Sequence, residues 1–193
     1  MPEIQPKLTP MLWFATEALE AAEFYVGVFP GAELGRVFRA PGDSPSGSTG
    51  DILSVDFTIL GTPFVALNGG PDFTFSEAVS FVILTEDQAE TDYYWSALTA
   101  DGGEESVCGW LKDKYGLSWQ VTPRRLLELT QHEDAGIGAR SFAAMMTMRK
   151  IDIAALEAAA SAEGSSSAPS RCRSSATSAA SCSNASSLTP GSR

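Results

Sequence analysis

The chain nearly repeats itself at an interval of 69 residues. Sliding it by that interval sets Thr16-Glu17 on Thr85-Glu86, Glu23 on Asp92, Phe24 on Tyr93 and Tyr25 on Tyr94. Such a repeat constrains the fold, because each copy must form the same supersecondary unit and bury its apolar face against a neighbour. Both copies predict a helix start, with Thr16 and Thr85 as N-caps and acids in the following turn to complement the helix dipole. Ala18, Ala21, Ala22, Tyr25 and Phe29 then recur at helical spacing, as do Tyr94, Ala97 and Leu98.

Short apolar runs, TPMLWF and AVSFVI, precede these helices, and strand-like pieces punctuated by glycine follow them. In the first copy these pieces are ELGRVFRA, DILSVDFTIL and TPFVALN; in the second they are EESVCGWL, a KDKYG turn and LSWQVT. Strand, helix and a three-stranded meander, taken twice, predict an α+β fold of tandem βαβββ modules over about residues 6–70 and 77–123. Lys112, Asp113 and Lys114 are expected to be solvated at the tip of their turn. Beyond Pro123, the runs RRLLELTQHE, ARSFAAMMTMRK and IDIAALEAAA show apolar spacing of three or four, so helices are expected over 124–160, closing a domain of residues 1–160.

The composition changes near residue 161. Residues 161–193 hold 13 serines and no aromatic residue, too little apolar surface to offset chain entropy, and are expected to be a disordered Ser/Ala-rich tail. Three arginines and one glutamate give this tail +2, so the overall −11 leaves −13 on the body. A body of that charge repels a phosphate backbone, which argues against nucleic acid as a partner. No run in MPEIQPKLTPMLWF is long and apolar enough for a signal-peptide core or a membrane span, so no membrane association and a cytoplasmic location are expected. Of three cysteines, Cys172 and Cys182 fall in the tail, and the spacing suits neither a disulfide framework nor a zinc site. Cys108 reads as a reduced thiol.

The motifs TPMLWF, AEFYVGVFPGAELG, PFVALNGG, FTFSEAVSF and CGWLKDKYGLSWQVTPRRL together resemble the PhnB-like branch of the vicinal oxygen chelate superfamily, over about residues 6 to 157. That superfamily includes glyoxalase I, extradiol dioxygenases, and fosfomycin and bleomycin resistance proteins; the branch is often labelled a demethylubiquinone methyltransferase-type domain. The resemblance implies a cupped mixed sheet from each module, two cups enclosing one pocket, and a homodimer. It also implies, for metal-dependent relatives, four ligand positions that polarise substrate oxygens through the metal. Here those positions fall on Thr9, Val65, Ala78 and Gln120. Thr, Val, Ala and Gln are a poor set for zinc, nickel or iron, which favour imidazole, thiolate and carboxylate, so no metal is expected. The chain has no glycine-rich strand-to-helix loop of the kind nucleotide-type cofactors use, so no other cofactor is expected either. His132, the single histidine, lies beyond the second module.

Strand alternation sorts the pocket. If Gln120 faces the cup, so do Ser118 and Thr122, and the same parity turns Met11 and Trp13 inward with Thr9, and Ser80 and Val82 with Ala78. Trp119, Val121, Leu12, Phe14, Val79 and Phe81 then face the helices. Met11, Trp13, Ser80, Val82, Ser118 and Gln120 are the candidate ligand-binding residues, a mainly apolar wall with a few hydrogen-bonding points. Three functions stay open: a metal-independent small-molecule binding protein that sequesters its ligand; a glyoxalase-like lyase or isomerase, or the methyltransferase of the family label; and a dimeric structural module whose pocket side chains have filled.

Overall fold

The computed structural model describes residues 7–162. The tail expected to be disordered, residues 161–193, lies outside them apart from its first two residues, and Ser161 is the last residue of a helix. In the first module β1 (Met11–Phe14) leads into α1 (Ala18–Val28), then β2 (Glu33–Arg39), β3 (Ile52–Ile59) and β4 (Thr62–Asn68). The strands lie in the order β1-β4-β3-β2, with β1 parallel to β4 and the rest antiparallel. Leu60 and Gly61, with φ of 47° and 75°, close the tight hairpin between β3 and β4, since two positive φ values match the twist of the flanking strands.

The second module repeats the plan with β5 (Ser80–Thr85), α2 (Gln88–Thr99), β6 (Glu104–Glu105), β7 (Trp110–Lys112) and β8 (Ser118–Pro123), in the order β5-β8-β7-β6. This is the expected α+β fold of paired βαβββ units. Three helices follow, α3 (Arg124–Thr130), α4 (Ala135–Met145) and α5 (Ile153–Ser161), around a small core of Leu126, Leu129, Ile151 and Leu156.

One face of each sheet is buried. Ala18, Ala21, Ala22 and Tyr25 of α1 lie against Leu12, Phe14, Val55, Phe57 and Ala66, the small alanines letting the helix come close to the strands. Tyr94, Trp95 and Leu98 of α2 join Ile83, Leu111, Trp119 and Val121 in the same cluster. The helix-side faces of the two sheets therefore share one core: the Tyr25 ring stacks on Phe57 with centroids 5.8 Å apart and also meets Trp119 at 5.7 Å, while Phe64 meets Phe81 edge-on at 5.1 Å.

Several expectations change. Asp113 is not solvated but 2% exposed. Its Oδ2 accepts from the Tyr25 hydroxyl and the Trp119 indole N–H, each at 2.8 Å, and its Oδ1 accepts from the backbone N–H groups of Tyr115 and Leu117. Burial pushes this carboxyl above the usual carboxylate range, against the pull of those hydrogen bonds. Neither threonine caps its helix. Glu17 precedes α1 with no side-chain capping bond, Asp87 caps α2 by accepting from Glu90 N, and Thr85 is buried with its hydroxyl 2.7 Å from that of Thr91. Val79 is 63% exposed, because β5 begins only at Ser80 and helix-side packing begins with it.

Candidate functional site

The other face of each sheet stays outside the shared core. On the second sheet the register sets Ser80 opposite Ser118, Val82 opposite Gln120 and Leu84 opposite Thr122, so these six side chains share one face. Val82 and Leu84 are 52% and 40% exposed. Gln120 is half-buried and spans diagonally across the strand pair, its Nε2 donating to Ser80 Oγ at 2.9 Å. Beside them Ser118 is buried, and its Oγ has no partner among the described residues. Ser118 lies at the floor of a hollow of about 130 Å³ lined also by Trp110, Lys112, Glu77 and Glu104. Lys112 and Glu77 close that hollow with an ion pair of 2.6 Å, which holds the Glu77 carboxyl below its usual range and lifts the Lys112 ammonium above its own.

On the first sheet Met11 is 61% exposed. Trp13 is half-buried and locked: its Nε1 donates to Gly70 O at 2.9 Å, and its ring lies where any Cβ on Gly69 would be. Of the six candidate residues, Ser80, Val82, Ser118 and Gln120 thus come together on the open face of the second sheet, while Met11 and Trp13 stand on the first. Trp13, Val82 and Ser118 each line a different hollow.

The four family ligand positions do not form a metal site. Thr9 and Ala78 precede β1 and β5 and are exposed, and Val65 and Ala78 offer no donor atom. Among the described residues no three His, Cys, Asp or Glu side chains gather as a metal would require. The register also revises one equivalence. Met11 and its repeat mate Ser80 lie opposite Val65 and Ser118, so Ser118 is the structural counterpart of Val65, and Gln120 corresponds to Leu67. Counting from the glycine misplaces the pair by two because β4 runs three residues before it reaches Val65, whereas β8 begins at Ser118 itself. His132 lies in a surface turn where its Nδ1 accepts from Asp134 N, and the Cys108 thiol lies 3.7 Å from Met146 Sδ. Neither touches the sheet faces described above.

Asn68 ends the strand-like piece TPFVALN and does more than close it: its Oδ1 accepts from Ala18 N at 2.8 Å and its Nδ2 donates to Ile52 O at 2.9 Å. It caps α1 from across the sheet. An asparagine ending a strand just before Gly-Gly was the available signal, but its helix partner is 50 residues away.

Residues 6–122 match the family described as 3-demethylubiquinone-9 3-methyltransferase. Among solved structures, the PhnB protein from Bacillus cereus is 32% identical with a TM-score of 0.55, the match covering 61% of this chain and 99% of that one. Protein PA1353 from Pseudomonas aeruginosa is 21% identical with a TM-score of 0.51, covering 62% and 98% respectively. The fosfomycin resistance protein FosX from Listeria monocytogenes is 13% identical with a TM-score of 0.43, covering 63% and 94%. No curated protein matches.

Proposed function

The chain belongs to the 3-demethylubiquinone-9 3-methyltransferase family, the PhnB-like branch of the vicinal oxygen chelate superfamily, and from that membership we propose a metal-independent small-molecule binding protein that works as a homodimer. The observation that carries this reading is the Ser80–Gln120 pair on an exposed, half-apolar sheet face. Gln120 spends one N–H on Ser80, which leaves its carbonyl oxygen, its second N–H and the Ser80 hydroxyl proton to meet a ligand. A molecule with adjacent donor and acceptor atoms on an apolar body would satisfy those groups while covering Val82 and Leu84. Sequestration needs no more chemistry than this.

The same geometry supports the homodimer. β1 and β5 are both edge strands, and they carry the candidate residues of the two sheets. Aligning β1 of one copy along β5 of another would bring Met11 and Trp13 to the side of Ser80 and Val82, making from two chains the pocket that one chain divides. A thermal-shift and native mass-spectrometry screen over polar heteroaromatic and amide-bearing compounds tests the reading. Hits should stabilise the wild-type protein and lose at least about fivefold in affinity with Gln120→Leu, since a ligand polar group left without its partner costs about 1–3 kcal/mol. Retention of full affinity by that variant would move the site elsewhere. Saturable binding of S-adenosylmethionine by calorimetry would replace sequestration with the methyl transfer that the family description names.

A further inference from the structure

We propose that a second hollow, built wholly from one chain at the end of the first sheet, binds a small organic cation of the alkylammonium class. It encloses about 270 Å³ between Trp13, Phe73, Phe75, Tyr115, Glu17 and Lys114. None of Ser80, Val82, Ser118 or Gln120 lines it. The volume admits on the order of nine water-sized groups at about 30 Å³ each, enough for a trimethylammonium head and a short arm.

The rings are set as walls, not as a stack. Trp13 and Phe73 meet at 79° with centroids 5.0 Å apart; Phe14 meets Phe75 at 71° and 5.4 Å, and Tyr115 at 86° and 5.7 Å. Perpendicular rings make corners, and wherever a ring face is not taken up by a neighbour's edge its electron-rich surface attracts cations. Trp13 is preorganised by its bond to Gly70 and its seat on Gly69. Phe73, by contrast, is 66% exposed, an aromatic ring with little packing of its own to account for its place. The fold already places one cation on such rings, for the Lys114 ammonium lies 5.1 Å from the Tyr115 ring centroid and 5.0 Å from that of Phe24.

Charge selects the class. Lys114 is answered by Glu20 at 3.2 Å, and Tyr115 donates to the same oxygen at 2.9 Å. Glu17 remains without a cation; one of its carboxylate oxygens accepts from Thr16 N, and no described side chain neutralises it. A carboxylate ligand would meet Glu17 and a chain of net charge −11, whereas a cation is drawn toward both.

Choline and its neutral carbon isostere, 3,3-dimethyl-1-butanol, titrated into the full chain by calorimetry and by NMR, test the proposal. Choline should bind saturably and the neutral isostere at least fivefold more weakly. Phe73→Ala and Glu17→Gln should each weaken choline by about twofold to fivefold, the scale of a cation over an exposed ring. Gln120→Leu should leave choline binding unchanged, which separates this site from the one on the second sheet. Both substituted side chains are exposed, so the fold survives their loss. No saturable choline binding, equal binding of the isostere, or full affinity in both variants would overturn the proposal.

Discussion

Asp113 shows how much a single side chain contributes to holding the modules together. It joins Tyr25 of α1 to Trp119 of β8 while closing the turn on which it sits, so both modules hydrogen-bond to one carboxylate. All of its partners are donors, and three of them, an indole and two backbone N–H groups, cannot reverse. In Asp113→Asn the amide nitrogen must face at least one donor, leaving it buried and unpaired. The variant should lose about 1–3 kcal/mol in urea denaturation. Asp113→Ala should lose more, because every donor is then orphaned at once. Equal midpoints for wild type and Asp113→Asn would mean that water reaches the carboxylate. A Lys-Asp-Lys turn in sequence reads as solvated, since nothing near it announces a tyrosine 88 residues upstream. The same blindness hid the Glu77–Lys112 closure over Ser118, one end of which lies in the segment before β5 and the other in β7.

At the scale of elements, the two helices begin in different ways despite their matching places in the repeat. α2 is capped locally by Asp87, but α1 takes its cap from Asn68 at the end of β4. Asn68→Ala removes an acceptor from the helix start and a donor from Ile52 O together. It should therefore cost more than Asp87→Ala, which lies within the usual cap range of about 0.5–2 kcal/mol. Denaturation of both variants, with faster amide exchange at Ala18 in the first, checks the order. The order of elements was readable from the 69-residue repeat: α1 begins at Ala18 and α2 at Gln88, one residue from the shifted position. Helical spacing survives because it depends on local periodicity. The closing strands drift, since β8 matches β4 only after the shorter strands of the second module are allowed for. Pairing parity still placed Ser80, Val82, Ser118 and Gln120 on one face, because alternation along a strand is as local as helical spacing.

For the whole molecule, alternation could say which face a residue shares but not what that face would meet. The sheets turn their helix sides to one core, and Tyr25, which touches Phe57 and Trp119 at once, fixes that choice. Nothing in a strand pattern distinguishes this from two cups closing on each other. The consequence is a chain with apolar side chains on its open edges: Met11 is 61%, Val82 52% and Leu84 40% exposed. If a second copy covers them, Val82→Glu buries an unpaired carboxylate at the interface while remaining a surface change in the single chain. Monomer stability should then move by no more than about 0.5 kcal/mol. Sedimentation velocity should show wild type as a dimer whose melting temperature rises with concentration, and the variant as a monomer whose melting temperature does not. Two copies each carrying −11 also repel, and salt screens that repulsion within about 10 Å at 0.1 M. Dimerisation should accordingly tighten as ionic strength rises, opposite to an association held by ion pairs. A wild-type monomer at every concentration, or a dimer untouched by Val82→Glu, would leave the second sheet's face to work alone.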